Sequence, residues 1–143
     1  MRVITLILIV SIGCAAATLR PAAVRLNEDA CAHCRMTLVS TRTAAQIVAS
    51  GEEPLIFDEL GCLRDYLAEH SLAADARVYV ADHRTGAWVD ASSAIFTRTT
   101  LATPMSSGLI AHADAASRDA DAGAHNGEFV PNPAVLQPQR TTP

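Results

Sequence analysis

A strand that runs directly into a helix occurs twice in this chain, and each occurrence closes a segment too short to fold alone. "PLIFD" (54–58) continues into "ELGCLRDYLAEH" (59–70), and "GLIAHA" (108–113) continues into "DAASRDADA" (114–122). Ahead of the first, "MTLVS" (36–40) and "AAQIVAS" (44–50) read as a hairpin about "TRT". Ahead of the second, "RVYVAD" (77–82) and "AWVDA" (87–91) flank "HRTG", where Gly86 tolerates the positive φ of a turn. Asp58 and Asp114 stand where an N-cap carboxylate would accept from unpaired amides. Leu60, Leu63 and Leu67 recur at helical spacing, flanked by Cys62 and Tyr66. The pattern predicts an α+β fold of two small β-β-β-α-like units, about 29–72 and 73–122, that must share one core.

The flanks read differently. Arg2 precedes an apolar run, "VITLILIVSI" (3–12), that is too short to span a hydrocarbon core, which needs roughly 20 residues. It suits the apolar region of a secretory signal over 1–13. "SIGC" (11–14) resembles a bacterial lipobox with Cys14 as the lipidated residue, although Ser11 stands where Leu is usual. The alternative is plain secretion, with cleavage near "CAAA" (14–17). Either way the chain is expected in the cell envelope, facing the periplasm, and in the first case held to a membrane by lipid. Residues 14–28 read as a tether. Residues 123–143, rich in Pro, Asn, Gln and Gly, read as a disordered tail.

Charge narrows the partners. The net charge is −4, and the basic residues are all Arg, scattered singly. That excludes a nucleic-acid face, which needs clustered basic residues, and a polybasic lipid-binding tract.

The chemistry concentrates in "DACAHCRMTLVS" (29–40). If 34–40 is extended, Cys34 and Met36 share a face, Cys31 reaches them by a turn, and His33 points away. Thiolate with thioether selects Cu(I), and a neutral thioether is a poor zinc ligand. Met105, in "ATPMSSG" (102–108), is the other methionine beyond the initiator, and an apolar residue among Pro, Ser and Gly fits a site better than a strand interior. Both methionines could equally fill gaps in an irregular core. A thioredoxin-like CxxC should follow a strand and open a helix; here it follows a tether. A zinc site wants four ligands, and the sequence offers no second pair. A plain Cys31–Cys34 disulfide is the strongest bland alternative in an oxidising compartment. Loss of Cys14 to lipid leaves Cys31, Cys34 and Cys62, an odd number with at least one sulfur free or metal-bound. Cys62 reads as a buried helix residue rather than a ligand. Asp58 and Asp90 read as caps, His112 as lining a core edge, and His125 as solvated. No pattern surrounds the serines of "TPMSSG" that would make a nucleophile, so the chain is not expected to be an enzyme.

"CAHCRM" (31–36), "LIFDELGCLRDYL" (55–67), "AWVDASSAIF" (87–96) and "TPMSSGLIAHAD" (103–114), in this order and spacing, resemble the NosL family. The resemblance implies an exported, often lipid-anchored copper-binding protein associated with assembly of nitrous oxide reductase. It implies a fold of two related β-β-α-β units, also similar to organomercurial lyases, with copper held by cysteine and methionine sulfur. Carried onto this chain, the ligands are Cys31, Cys34, Met36 and Met105, with His33 or a carboxylate such as Asp90 completing the site. Arg35 and Ser106 stand where the family usually has Gly. The expected cargo is Cu(I), and the expected partner is apo nitrous oxide reductase or its membrane assembly complex. The rivals are a thiol-redox protein cycling Cys31–Cys34, and a lipoprotein that only binds a partner.

Overall fold

The computed structural model describes residues 19–137, so the expected signal, Cys14 and residues 138–143 lie outside it. Two antiparallel sheets follow one plan. In the first, β1 (Ala45–Val48) lies between β2 (Leu55–Phe57) and β3 (Arg77–Ala81), with β4 (Trp88–Asp90) outside β3. Helix α1 (Leu60–Glu69) links β2 to β3. In the second, β5 (Ile95–Arg98) lies between β6 (Leu109–His112) and β7 (Glu128–Val130). Helix α2 (Ala115–Asp119) and a 3-10 turn, Ala122–Ala124, link β6 to β7.

The class is α+β as expected, and each unit is β-β-α-β with its middle strand first in sequence, as the family resemblance implies. Register makes the units comparable residue by residue. Ala45, first in β1, pairs with Phe57, last in β2; Ile95, first in β5, pairs with His112, last in β6. One core runs through both units and includes Phe57, Leu60 and Leu63 from the first, with Phe96, Leu109 and Val130 from the second. Burying Phe57 and Phe96 completely contributes roughly 1.5–3 kcal/mol each. A parallel bridge, Asp82 to Ala111, joins the sheets, and the His83 N–H donates to the Ala111 carbonyl at 2.8 Å.

Four expectations are corrected. Residues 36–40 do not pair with β1; the Leu38 N–H donates to Asp29 O and its carbonyl accepts from Asn27, so this stretch folds back on residues 27–31. The alternation there is real, with Leu38 buried and Val39 exposed, but its backbone is already taken. The unit boundary is also later than 73, because β3 and β4 complete the first sheet and the second begins with β5. The segment from 123 onward is ordered as far as residue 137. It supplies β7 and then α3 (Asn132–Leu136), whose Pro133 sits in the first turn, where a missing N–H costs nothing, and whose Val135 is fully buried. Finally, residues 19–24 of the tether lie on the first sheet. The side chain of Gln46, wholly buried in β1, accepts from the Ala22 N–H at 2.7 Å, and Tyr79 Oη donates to Leu19 O at 2.8 Å. A buried amide needs such partners, so Gln46 draws the tether down.

The capping expectations divide. Asp114 accepts from the Ser117 N–H at 2.8 Å and starts α2. Asp58 does not cap α1; Glu59 occupies the N-cap position and makes no capping bond. The Asp58 carboxylate is turned elsewhere.

Candidate metal centre

"CAHCRM" closes a tight loop. The Cys31 N–H donates to Met36 O at 2.8 Å, the Arg35 N–H donates to Cys31 O at 3.0 Å, and Ala30 pairs with Thr37 across the base. Such closure needs Arg35 at φ 66°, the left-handed region that glycine enters without steric cost. Residues 34–36 are therefore not extended, and Cys34 and Met36 do not share a face as alternation would require. Cys34 is half-buried against the core, while Met36 is exposed.

Opposite this loop stands the first turn of α1. The sulfurs of Cys31, Cys34 and Cys62 and a carboxylate oxygen of Asp58 all lie within 4.8 Å of one another. The three thiols are free. Cys31, Cys62 and Asp58 are buried, and half-buried Cys34 gives the cluster its opening. The Cys34 thiol donates to Asp58 Oδ2 at 3.4 Å, and Thr43 Oγ1 donates to the Asp58 carbonyl at 2.9 Å. Asp58 Oδ1 is buried without any partner. An orphaned buried acceptor costs about 1–3 kcal/mol, and a cation among the sulfurs would relieve it. The residues present therefore fit a bound metal ion.

Burial, aided by the Asp58 carboxylate, pushes the Cys62 thiol far above its ordinary range. Burial also raises Cys34, against the pull of the Met36 N–H. Burial thus favours the protonated thiols of Cys34 and Cys62 until an ion displaces a proton, which couples binding to proton release.

The correction to Cys62 has a readable cause. It is buried on α1 as expected, yet its sulfur joins Cys31 and Cys34. Asp58 immediately precedes the N-cap of α1 and Cys62 lies in its first turn, so the strand-to-helix junction "DELGC" carries both donors. His33 is half-buried and stands outside the four-donor set. So does Asp90, whose Oδ1 accepts from the Ser92 N–H at 2.9 Å and caps a turn.

Met105 lies in the β5–β6 loop, which is bonded to itself and to α1. The Gly108 N–H donates to Thr103 Oγ1 and the Ser106 N–H to Thr103 O, with Ser106 at φ 61°. Ser107 Oγ donates to buried Glu59 Oε2 at 3.1 Å. A Cβ on Gly61 would stand only 2.7 Å from Ser107 Cβ, so glycine there lets the loop touch the helix. The second unit thus sets the Met105 loop beside the helix turn that carries Cys62. The Met105 side chain itself is 51% exposed.

Three thiols and a carboxylate, gathered between a loop and a helix start, place the chain among proteins whose site could hold a soft metal ion. The NosL family model matches residues 23–137. The chain belongs to the NosL family, a copper-binding accessory family not known for enzymatic activity. No curated protein sequence matches it.

Proposed function

We propose that this protein is an exported, lipid-anchored Cu(I) chaperone that hands copper to a periplasmic cuproenzyme, with nitrous oxide reductase as the client the family points to. The observation that carries the reading is the thiol cluster with one open side, at Cys34, and an exposed methionine in the adjacent loop. Copper is cargo here, so the site must hold it firmly and still admit a client's ligands. Two thiolates, Cys31 and Cys34, anchor the ion. Cys62, whose thiol burial and the Asp58 carboxylate make hard to ionise, stays protonated, so the site buries one negative charge fewer than three thiolates would bring. Met105, and Met36 at the loop's end, supply neutral thioether sulfur that a client can replace stepwise. The "SIGC" sequence supports anchoring through Cys14; Cys14→Ser should release the protein from membranes.

The test is anaerobic Cu(I) titration of the reduced protein against a chromogenic Cu(I) chelator. Cys31→Ser and Cys34→Ser should each weaken binding by at least about tenfold, since loss of even an outer-shell partner commonly costs that much. Met105→Leu should weaken it less and speed loss of copper to the chelator. Wild-type affinity in a Cys31→Ser/Cys34→Ser double variant would overturn the site. Equal copper release in the Met105→Leu and wild-type proteins would remove the second unit from it.

A further inference from the structure

A cluster of another chemistry, independent of the copper reading, lies where the two sheets meet. His83 follows β3, His112 ends β6, and Asp121 precedes the Ala122–Ala124 turn. Asp121 Oδ2 lies 2.6 Å from His83 Nδ1 and 2.9 Å from His112 Nε2. Its other oxygen is used structurally, accepting from the Gly123 N–H at 2.8 Å. The rings meet nearly edge to face, 72° apart with centroids at 6.2 Å, so two ring nitrogens converge on one oxygen from different directions.

We propose that His83, His112 and Asp121 form a second metal site, which takes a borderline divalent cation of the zinc class through two imidazole nitrogens and one carboxylate oxygen. The three donor atoms lie within 4.8 Å of one another. Around tetrahedral zinc, with bonds of about 2.0–2.1 Å, such atoms stand ~3.3 Å apart. The two nitrogen-to-oxygen distances, 2.6 and 2.9 Å, thus lie within about 0.7 Å of the separation that a tetrahedral ion requires.

Two observations favour a site over a buried ion pair. His112 is completely buried and turns Nε2 onto Asp121, although this leaves its Nδ1 without a hydrogen-bond partner. A side chain placed only for packing would avoid that cost, as Phe57 does at the equivalent register position of the first unit. The cluster is also reachable and built closely. His83 keeps 18% of its side chain exposed, and a Cβ on Gly123 would stand 3.0 Å from His83 Cε1. Three protein ligands leave a fourth position for water or an incoming donor. Nitrogen and oxygen donors do not favour Cu(I), so the two sites of the chain would sort ions by softness.

The test uses the full chain and Co²⁺ or Zn²⁺ alone. Wild type should bind one Co²⁺ with visible bands but no sulfur-to-cobalt charge transfer, and X-ray absorption of the zinc form should show nitrogen and oxygen neighbours. His83→Gln and Asp121→Asn should weaken this ion by at least about tenfold and leave Cu(I) affinity unchanged. His83 is surface-accessible, so its variant separates lost ligation from lost folding. Sulfur-only coordination of the divalent ion, or unaltered zinc affinity in His83→Gln, would overturn the site.

Discussion

The two units share a topology and differ in what they place at the strand-to-helix junction. In the first, the last residue of β2 is Phe57, the junction carries Asp58, and Cys62 follows on the helix. In the second, the last residue of β6 is His112, the junction carries Ala113, and Ser117 stands where Cys62 would. One unit keeps an aromatic ring at that position and gathers sulfur beside it. The other puts an imidazole into the core position itself. The lesson is that this fold offers a donor-bearing junction in each copy, and side-chain choice decides which ion it suits.

The sharpest way to break the comparison is to exchange the core positions. Phe57→His should destabilise the fold by about 3–5 kcal/mol, since it removes a large buried ring and leaves ring nitrogens without partners. His112→Phe should cost less, about 1–2 kcal/mol without metal, because it loses the Nε2 bond to Asp121 but also removes the orphaned Nδ1. It should abolish the stabilisation that added zinc gives. Chemical denaturation with and without zinc measures both. A His112→Phe protein as damaged as Phe57→His would mean that the imidazole is structural.

Asp82 sets how rigidly the imidazole cluster is held before any ion arrives. It lies at the bridge between sheets; Oδ1 accepts from the N–H and O–H of Thr85, and Oδ2 accepts from the Ala113 N–H at 2.8 Å. Burial opposes its ionisation, yet these donors and Ser117 outweigh burial and hold its carboxyl well below the ordinary range. Because the folded value lies below the unfolded one, near 3.9, this stabilisation is present above about pH 4 and fades as pH falls toward the folded value. Asp82→Asn should cost about 2 kcal/mol at neutral pH and flatten the acid limb of a stability profile. An acid limb as steep as wild type would move that role to another carboxylate.

How much of this could be read from residues alone follows the same divide. The strand-to-helix junctions, the Gly86 turn and the CxxC were local patterns, so they were legible. The hairpin at 36–40 failed because alternation says nothing about which backbone a strand will meet. The tail failed because a Pro-rich stretch was judged by average composition, while Val130 and Val135 act singly, each filling one place in the core. The donor sets were hardest. Asp58 and Cys62 lie more than twenty residues from the CxxC, and His83 is brought to His112 and Asp121 only by the joining of the sheets.

The helix starts give a smaller test. Asp114 caps α2 by its own carboxylate, whereas Glu59 at the same position of α1 grips Ser107 instead. Asp114→Ala should cost about 1 kcal/mol and leave copper binding alone. Glu59→Gln should change stability less but loosen the Met105 loop, and therefore speed copper release. If both variants affect only stability, the second unit has no hold on the thiol site.

The smallest expected effects lie at the two positions where the family usually has glycine. Arg35 and Ser106 adopt φ of 66° and 61°, one in the thiol loop and one beside Met105. A left-handed conformation costs a residue with a Cβ about 1–2 kcal/mol. Glycine would remove that strain but add unfolded-state freedom worth about 0.4–1 kcal/mol. Arg35→Gly and Ser106→Gly should therefore each stabilise by roughly 0.5 kcal/mol on balance. Asn27, at φ 64°, is the internal control, because asparagine tolerates this region and Asn27→Gly should gain little. If the loop shapes are set by the hydrogen bonds of Cys31, Arg35 and Thr103 rather than by the side chains at 35 and 106, copper affinity will not change with these substitutions. A gain in stability with a loss of copper affinity would show instead that Arg35 or Ser106 holds its loop in a form glycine does not keep. The departures from the family pattern would then belong to the site's tuning.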